Sequence, residues 1–157
     1  MMVRRALTRL NRTPEWAAAG ATATIHSVIA VTHGGPVAVP DVSAYLAVTQ
    51  WLYGGVLPGD LAYHPGYGLL LAPLGWLNGD SLHTAALCVN ALLAGLCVLL
   101  AARLVRLLQG PEWTIVAAAA MTAVHPSLSV ASRIAWPESL LTALLLSAAV
   151  LMCANHW

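Results

Sequence analysis

The chain has 157 residues, 59% of them hydrophobic and 8% charged, at a mean hydropathy of +0.76, whereas soluble domains carry about 25% charged residues. So many apolar side chains exceed what one soluble core hides, which argues against an ordinary soluble globular domain and for a lipid-covered one. Seven arginines, no lysine and six acids leave a net charge of +1, too little for the broad basic field that attracts nucleic acid.

Four apolar stretches are long enough, or nearly so, for a membrane crossing of roughly 17 to 25 residues. Trp16 to Thr32 is the first. An arginine-rich start followed by an apolar stretch also fits a signal peptide, but no convincing small-x-small cleavage site follows it. Between Gly34 and Asp80 the chain is too punctuated by Pro and Gly to span and too apolar to float. There Val42 to Tyr53 predicts one helix lying on the membrane surface, with Val42, Tyr45, Leu46, Thr49 and Tyr53 on one face and Gly54 as its stop. Tyr67 to Leu77 predicts a second short helix, kinked or ended near Pro73 and followed by a turn at Asn78-Gly79-Asp80-Ser81.

Leu82 to Ala102 is the second crossing, with Asn90 as an interhelical hydrogen-bond donor. Trp113 to Val124 is the third. Its 12 residues reach only about 18 Å at 1.5 Å per residue, so it needs extension through Pro111 and a kink or break at Pro126. Pro137 to Ala154 is the fourth. The expected fold class is therefore all-α, a polytopic transmembrane bundle of about four spans with short interfacial helices in its first outer loop. Cys88, Cys97 and Cys153 lie inside apolar runs and read as small core hydrophobes. His26 and His33, seven apart, share a face that packs against other helices.

Arg4, Arg5, Arg9 and Arg12 precede the first span, and Arg103 and Arg106 follow the second, so the positive-inside rule puts both segments in the cytoplasm. The outer side then holds Asp41, Asp60, Asp80 and Glu138 with a single arginine, Arg133. All six tryptophans fall near expected helix ends, where indoles sit among lipid headgroups.

The order of these features resembles the GT-C glycosyltransferases, in particular the relatives of dolichyl-phosphate-mannose protein mannosyltransferase. The resemblance rests on the arginine-rich start, one span, Pro40-Asp41 heading a surface helix, and Tyr63-His64-Pro65-Gly66-Tyr67-Gly68 through Pro73-Leu74. It continues through Arg103-Leu104-Val105-Arg106 after the second span and His125-Pro126 leading to Pro137-Glu138-Ser139. The family often shows a Pro-Pro-Gly-Tyr-Pro-like segment where His64 to Gly68 stands, and a Tyr-Pro at His125-Pro126, so this chain departs from the pattern at His64, Gly68 and His125. The likeness runs from about Arg4 to Ala154 and implies the N-terminal portion of a larger membrane domain, residues 1–157 forming one transmembrane unit in the plasma membrane or cell envelope.

The resemblance implies transfer of a sugar from a polyprenyl-phosphate donor to a glycan, lipid or protein acceptor on the outer face. Asp41 matches the family's acidic position in the first outer loop, as general base or as ligand to a divalent metal cation. It would equally serve as an N-cap. Glu138 is the second catalytic candidate, for acceptor or metal contact, beside the simpler role of a negative charge at a helix start. Arg133 is a candidate grip on the lipid phosphate or a snorkelling arginine. Tyr45, His64, Tyr67 and His125 complete the substrate-binding candidates. The competing expectation is a small four-span membrane protein with a structural, accessory or transport role and no catalysis. A membrane-impermeant thiol reagent applied outside the cell should label a cysteine introduced beside Asp60 and spare one beside Arg106; the reverse pattern inverts the topology.

Overall fold

The computed structural model describes residues 14–32, 40–56, 65–77 and 79–155. Among these every regular element is helical. In chain order they are α1 (Pro14–Thr32), α2 (Pro40–Trp51), α3 (Gly66–Leu70), a 3-10 turn (Ala72–Leu74), α4 (Gly79–Leu107), α5 (Glu112–Ala123), α6 (Pro126–Ala131) and α7 (Glu138–Asn155). The helices expected between Gly34 and Asp80 are present as α2 and as the α3 and 3-10 pair, which breaks at Leu71 ahead of Pro73. The expected turn at Gly79 to Ser81 is instead the first turn of α4, entered through Gly79 with φ +43.

At 29 residues α4 is about 43 Å long, and α1, α5 and α7 all pack directly against it. Its apolar run without Pro, capped by Asp80 in the first turn and Arg106 in the last, suits a long helix and its dipole. Helix α1 runs antiparallel to it: Glu15 pairs with Arg106 at one end, while Ala30 packs near Ala86 and Leu87 at the other. In between, Gly95 meets the backbone of α1. A Cβ there would lie 2.8 Å from Ala19 O and 3.1 Å from Ala23 Cβ, so the two helices touch only because this position carries no side chain.

Two apolar clusters divide the interior. Ala19, Val98, Ala102, Ile115 and Ala119 fill the arginine end, between α1, α4 and α5. Ala30, Val42, Tyr67, Leu71, Ala86, Leu87 and Ala135 fill the opposite end, where α2 and α3 join the bundle. The turn from α4 to α5 is tight: Gln109 takes a left-handed φ of 58, and the amides of Gln109 and Gly110 cap Arg106 O and Val105 O at 3.0 Å. Helix α5 ends at Ala123, and His125-Pro126 breaks it from α6 as the proline requires.

Two helices, α4 and α7, are long and apolar enough to cross a membrane; four such helices are not found among the described residues. Helix α1 has 19 residues, but Thr22, Thr24, His26 and Ser27 dilute its apolar character, and α5 has only 12. Most of α7 faces outward, with Leu141, Leu144, Leu145, Leu151 and Met152 exposed. So continuous an apolar face suits lipid or another apolar partner better than water. The exposed indoles of Trp16, Trp51, Trp76 and Trp113 lie at or near helix ends, as expected, and Cys97 is buried. Replacing Gly95 with leucine should force α1 and α4 apart and destabilise the protein by about 1–3 kcal/mol or more, read as a lower thermal midpoint in detergent; an unchanged midpoint removes the close contact.

Candidate functional site

The two acidic segments singled out in the sequence converge, through buried intermediaries, on one residue of α4. Asn90 is 1% exposed. Its Oδ1 accepts a hydrogen bond of 3.0 Å from the Tyr67 hydroxyl, and its Nδ2 hydrogens are shared among Ala131 O, Ile134 O and Trp136 O at 3.2, 3.4 and 3.2 Å. One amide therefore ties α3 to the connection between α6 and α7. The expected interhelical role of Asn90 is present, with carbonyls and a phenol as partners. Sequence reading missed this specific set, because carbonyls freed at the end of α6 carry no residue-type signal.

Tyr67 is 2% exposed. Burial pushes its phenol well above its ordinary pKa; the hydrogen bond to Asn90 opposes the rise and the Glu138 charge adds to it. The hydroxyl is thus a neutral donor throughout the physiological range, unsuited to act as a base. Tyr45 packs edge-on against Tyr67, ring centroids 5.9 Å apart at 87°, the favoured arrangement for aromatic quadrupoles. The α2–α3 contact is drawn tighter by Thr49, whose hydroxyl donates to Gly68 O at 2.9 Å. Gly68 is required by that approach, since a Cβ would sit 2.6 Å from Val48 Cβ.

Asp41 lies in the first turn of α2, inside the helix rather than ahead of it as a cap would be, and one turn before Tyr45. Its side chain lies outside the description, as does all of His64. Glu138 is exposed in the first turn of α7. With Pro126, Ser127, Val130, Ala131 and Trp136 it lines a hollow of about 310 Å³. Two buried polar atoms next to it in sequence, Trp136 Nε1 and Ser139 Oγ, have no hydrogen-bond partner among the described residues, and such atoms call for a ligand or water. His125 Nδ1 accepts from the Ser127 amide at 3.3 Å as the N-cap of α6, so that nitrogen is occupied locally. Arg133 is exposed and forms no ion pair among the described residues.

The structure thus links Tyr45, Tyr67 and the Glu138 segment through Asn90, leaves Arg133 and His125 apart from that network, and is silent on His64. Among the described residues no three His, Cys, Asp or Glu side chains assemble to hold a metal ion; the side chain of Asp41, the expected metal ligand, lies outside the description. Comparison with protein-family models, curated proteins and solved structures finds no match to this chain. Asn90→Leu should take the donor from Ala131 O and Trp136 O and leave the Tyr67 hydroxyl only the longer contact to Ala86 O at 3.5 Å, at a cost of about 1–3 kcal/mol, with Tyr67→Phe milder; equal thermal midpoints for wild type and Asn90→Leu would show the network to be idle.

Proposed function

We propose that the protein is a membrane glycosyltransferase of GT-C type, which transfers a sugar from a polyprenyl-phosphate donor to an acceptor on the outer face of the membrane. The observation that carries this reading is the tie through Asn90. It holds the helix bearing Asp41 and the helix start bearing Glu138 against one end of a bundle whose apolar exterior suits lipid. A donor whose tail lies in the bilayer and whose phosphate lies at its edge would meet protein carboxylates only if they are held at that level.

In this reading the acceptor oxygen attacks the anomeric carbon as the bond from that carbon to the phosphate oxygen breaks. The electron pair leaves with the phosphate on its carrier, and the acceptor proton passes to the Asp41 carboxylate. Glu138 holds an acceptor hydroxyl from the adjoining hollow. Tyr67, neutral and buried, positions Tyr45 and the α2 helix rather than touching substrate. Arg133 offers a guanidinium to the phosphate. The N-terminus and the α4–α5 turn are then cytoplasmic and the α2–α3 segment external, in the plasma membrane.

A non-catalytic membrane protein is the second reading, and one observation favours it: Tyr67 and Asn90 spend their polar groups on each other, as a purely structural tie would. Membranes carrying the protein expressed from its full gene decide between them. With a radiolabelled polyprenyl-phosphate hexose as donor, Asp41→Asn should lower transfer by about 10²-fold or more with folded protein retained, and Glu138→Gln should act mainly on acceptor KM. Wild-type protein that transfers nothing favours the non-catalytic reading, and an undiminished Asp41→Asn rate removes Asp41 as the base.

A further inference from the structure

At the opposite end of the bundle from the Asn90 network lies a slot of about 210 Å³ between the start of α1 and the last turns of α4. Its floor is apolar: Leu96, Leu99 and Leu100 stand on one face of α4 at helical spacing. Arg103 and Arg106 continue the same face toward the helix end, and Glu15 and the half-exposed indole of Trp16 close the slot from α1. Arg106 is bound to Glu15 Oε1 at 2.5 Å and is neutralised by it. Arg103 is exposed and has no ion-pair partner among the described residues, so the slot carries one surplus positive charge.

A second, independent feature points into the same place. Glu15 is only 6% exposed, yet its Oε2 has no hydrogen-bond partner among the described residues. A buried carboxylate oxygen left without a donor destabilises the fold, and a ligand that brings an O–H group there removes that cost. The slot therefore asks for three things in order along α4: an acyl chain over the leucines, an anionic phosphate at Arg103, and a hydroxyl donor beside Glu15.

We propose that this slot is a binding site for an anionic glycerophospholipid whose headgroup carries a free hydroxyl, held by its phosphate on Arg103 and its hydroxyl on Glu15 Oε2, with one chain along Leu96, Leu99 and Leu100. Free phosphate satisfies only the arginine and leaves the leucine floor uncovered. Ordinary headgroup contact by a snorkelling arginine satisfies neither the floor nor Glu15. The site is independent of any sugar transfer and stands or falls by itself.

Native mass spectrometry of the full chain, released from detergent supplied with equal phosphatidylglycerol and phosphatidylcholine of the same acyl chains, tests it directly. The wild type should retain one phosphatidylglycerol in preference to phosphatidylcholine by about fivefold to tenfold. Arg103→Gln, a change at an exposed position that leaves the Glu15–Arg106 pair intact, should bring the ratio close to unity, and Arg103→Lys should restore part of it. Phosphatidic acid, which has the phosphate but no headgroup alcohol, should be retained less well than phosphatidylglycerol. Equal retention of the two main lipids by the wild type, or an unchanged preference in Arg103→Gln, overturns the proposal. Displacement of the bound lipid by excess inorganic phosphate shows a simple anion site and overturns it as well.

Discussion

The fold depends on one long helix with a single amide buried near its middle. Helix α4 touches each of the longer helices α1, α5 and α7, and Asn90 stands 11 residues, about 16 Å, from its first residue. In an apolar surrounding an amide must find partners or destabilise the fold. Asn90 finds them in the carbonyls that α6 and its following turn leave free, and in the phenol of Tyr67 on α3. The cost of leaving any of these groups unpaired is what specifies where the chain turns back and where α3 docks.

This turning point explains the uneven shape of the bundle. Helices α5 and α6 climb from the arginine end only to the level of Asn90, and α7 starts down again from there, with Trp136 O beside Asn90 and Ser139 O near Cys97. Helix α4 continues past that level, and so does α1, whose Ala30 joins Ala86 and Leu87. The α2–α3 segment occupies the step that results, with Tyr67 and Leu71 filling it. Glu138 thereby comes within electrostatic reach of Tyr67, although the two stand 71 positions apart in the chain.

Much of this was legible in the sequence, and the misses have physical reasons. The helical segments follow from hydropathy, glycine and proline: Gly54 lies just beyond α2, Pro126 breaks α5 from α6, and Pro137 precedes α7. Boundaries moved where polar residues extend a helix that tertiary contacts support, as at Gly79 to Ser81. Of the four expected crossings, α4 and α7 are long and apolar enough among the described residues, while α1 is rich in alanine and threonine and α5 is short. At the site, Tyr67 was expected to face substrate and is instead buried; a tyrosine between two glycines looks exposed until the close approach of Val48 to Gly68 is known. The role of Asn90 as an interhelical donor was legible as an isolated polar residue in an apolar run, its partners were not.

The unequal lengths of the two helices that are long and apolar enough to cross a membrane have a consequence for any bilayer that holds them. A hydrocarbon layer about 30 Å thick meets a wall of about 43 Å along α4 and of about 27 Å along α7. Lipids beside α7 would be asked to shorten while those beside α4 would not, so the leaflet would dip on one flank of the molecule. Such hydrophobic mismatch would lower the water boundary toward Glu138 and shorten the climb for any headgroup approaching from that flank.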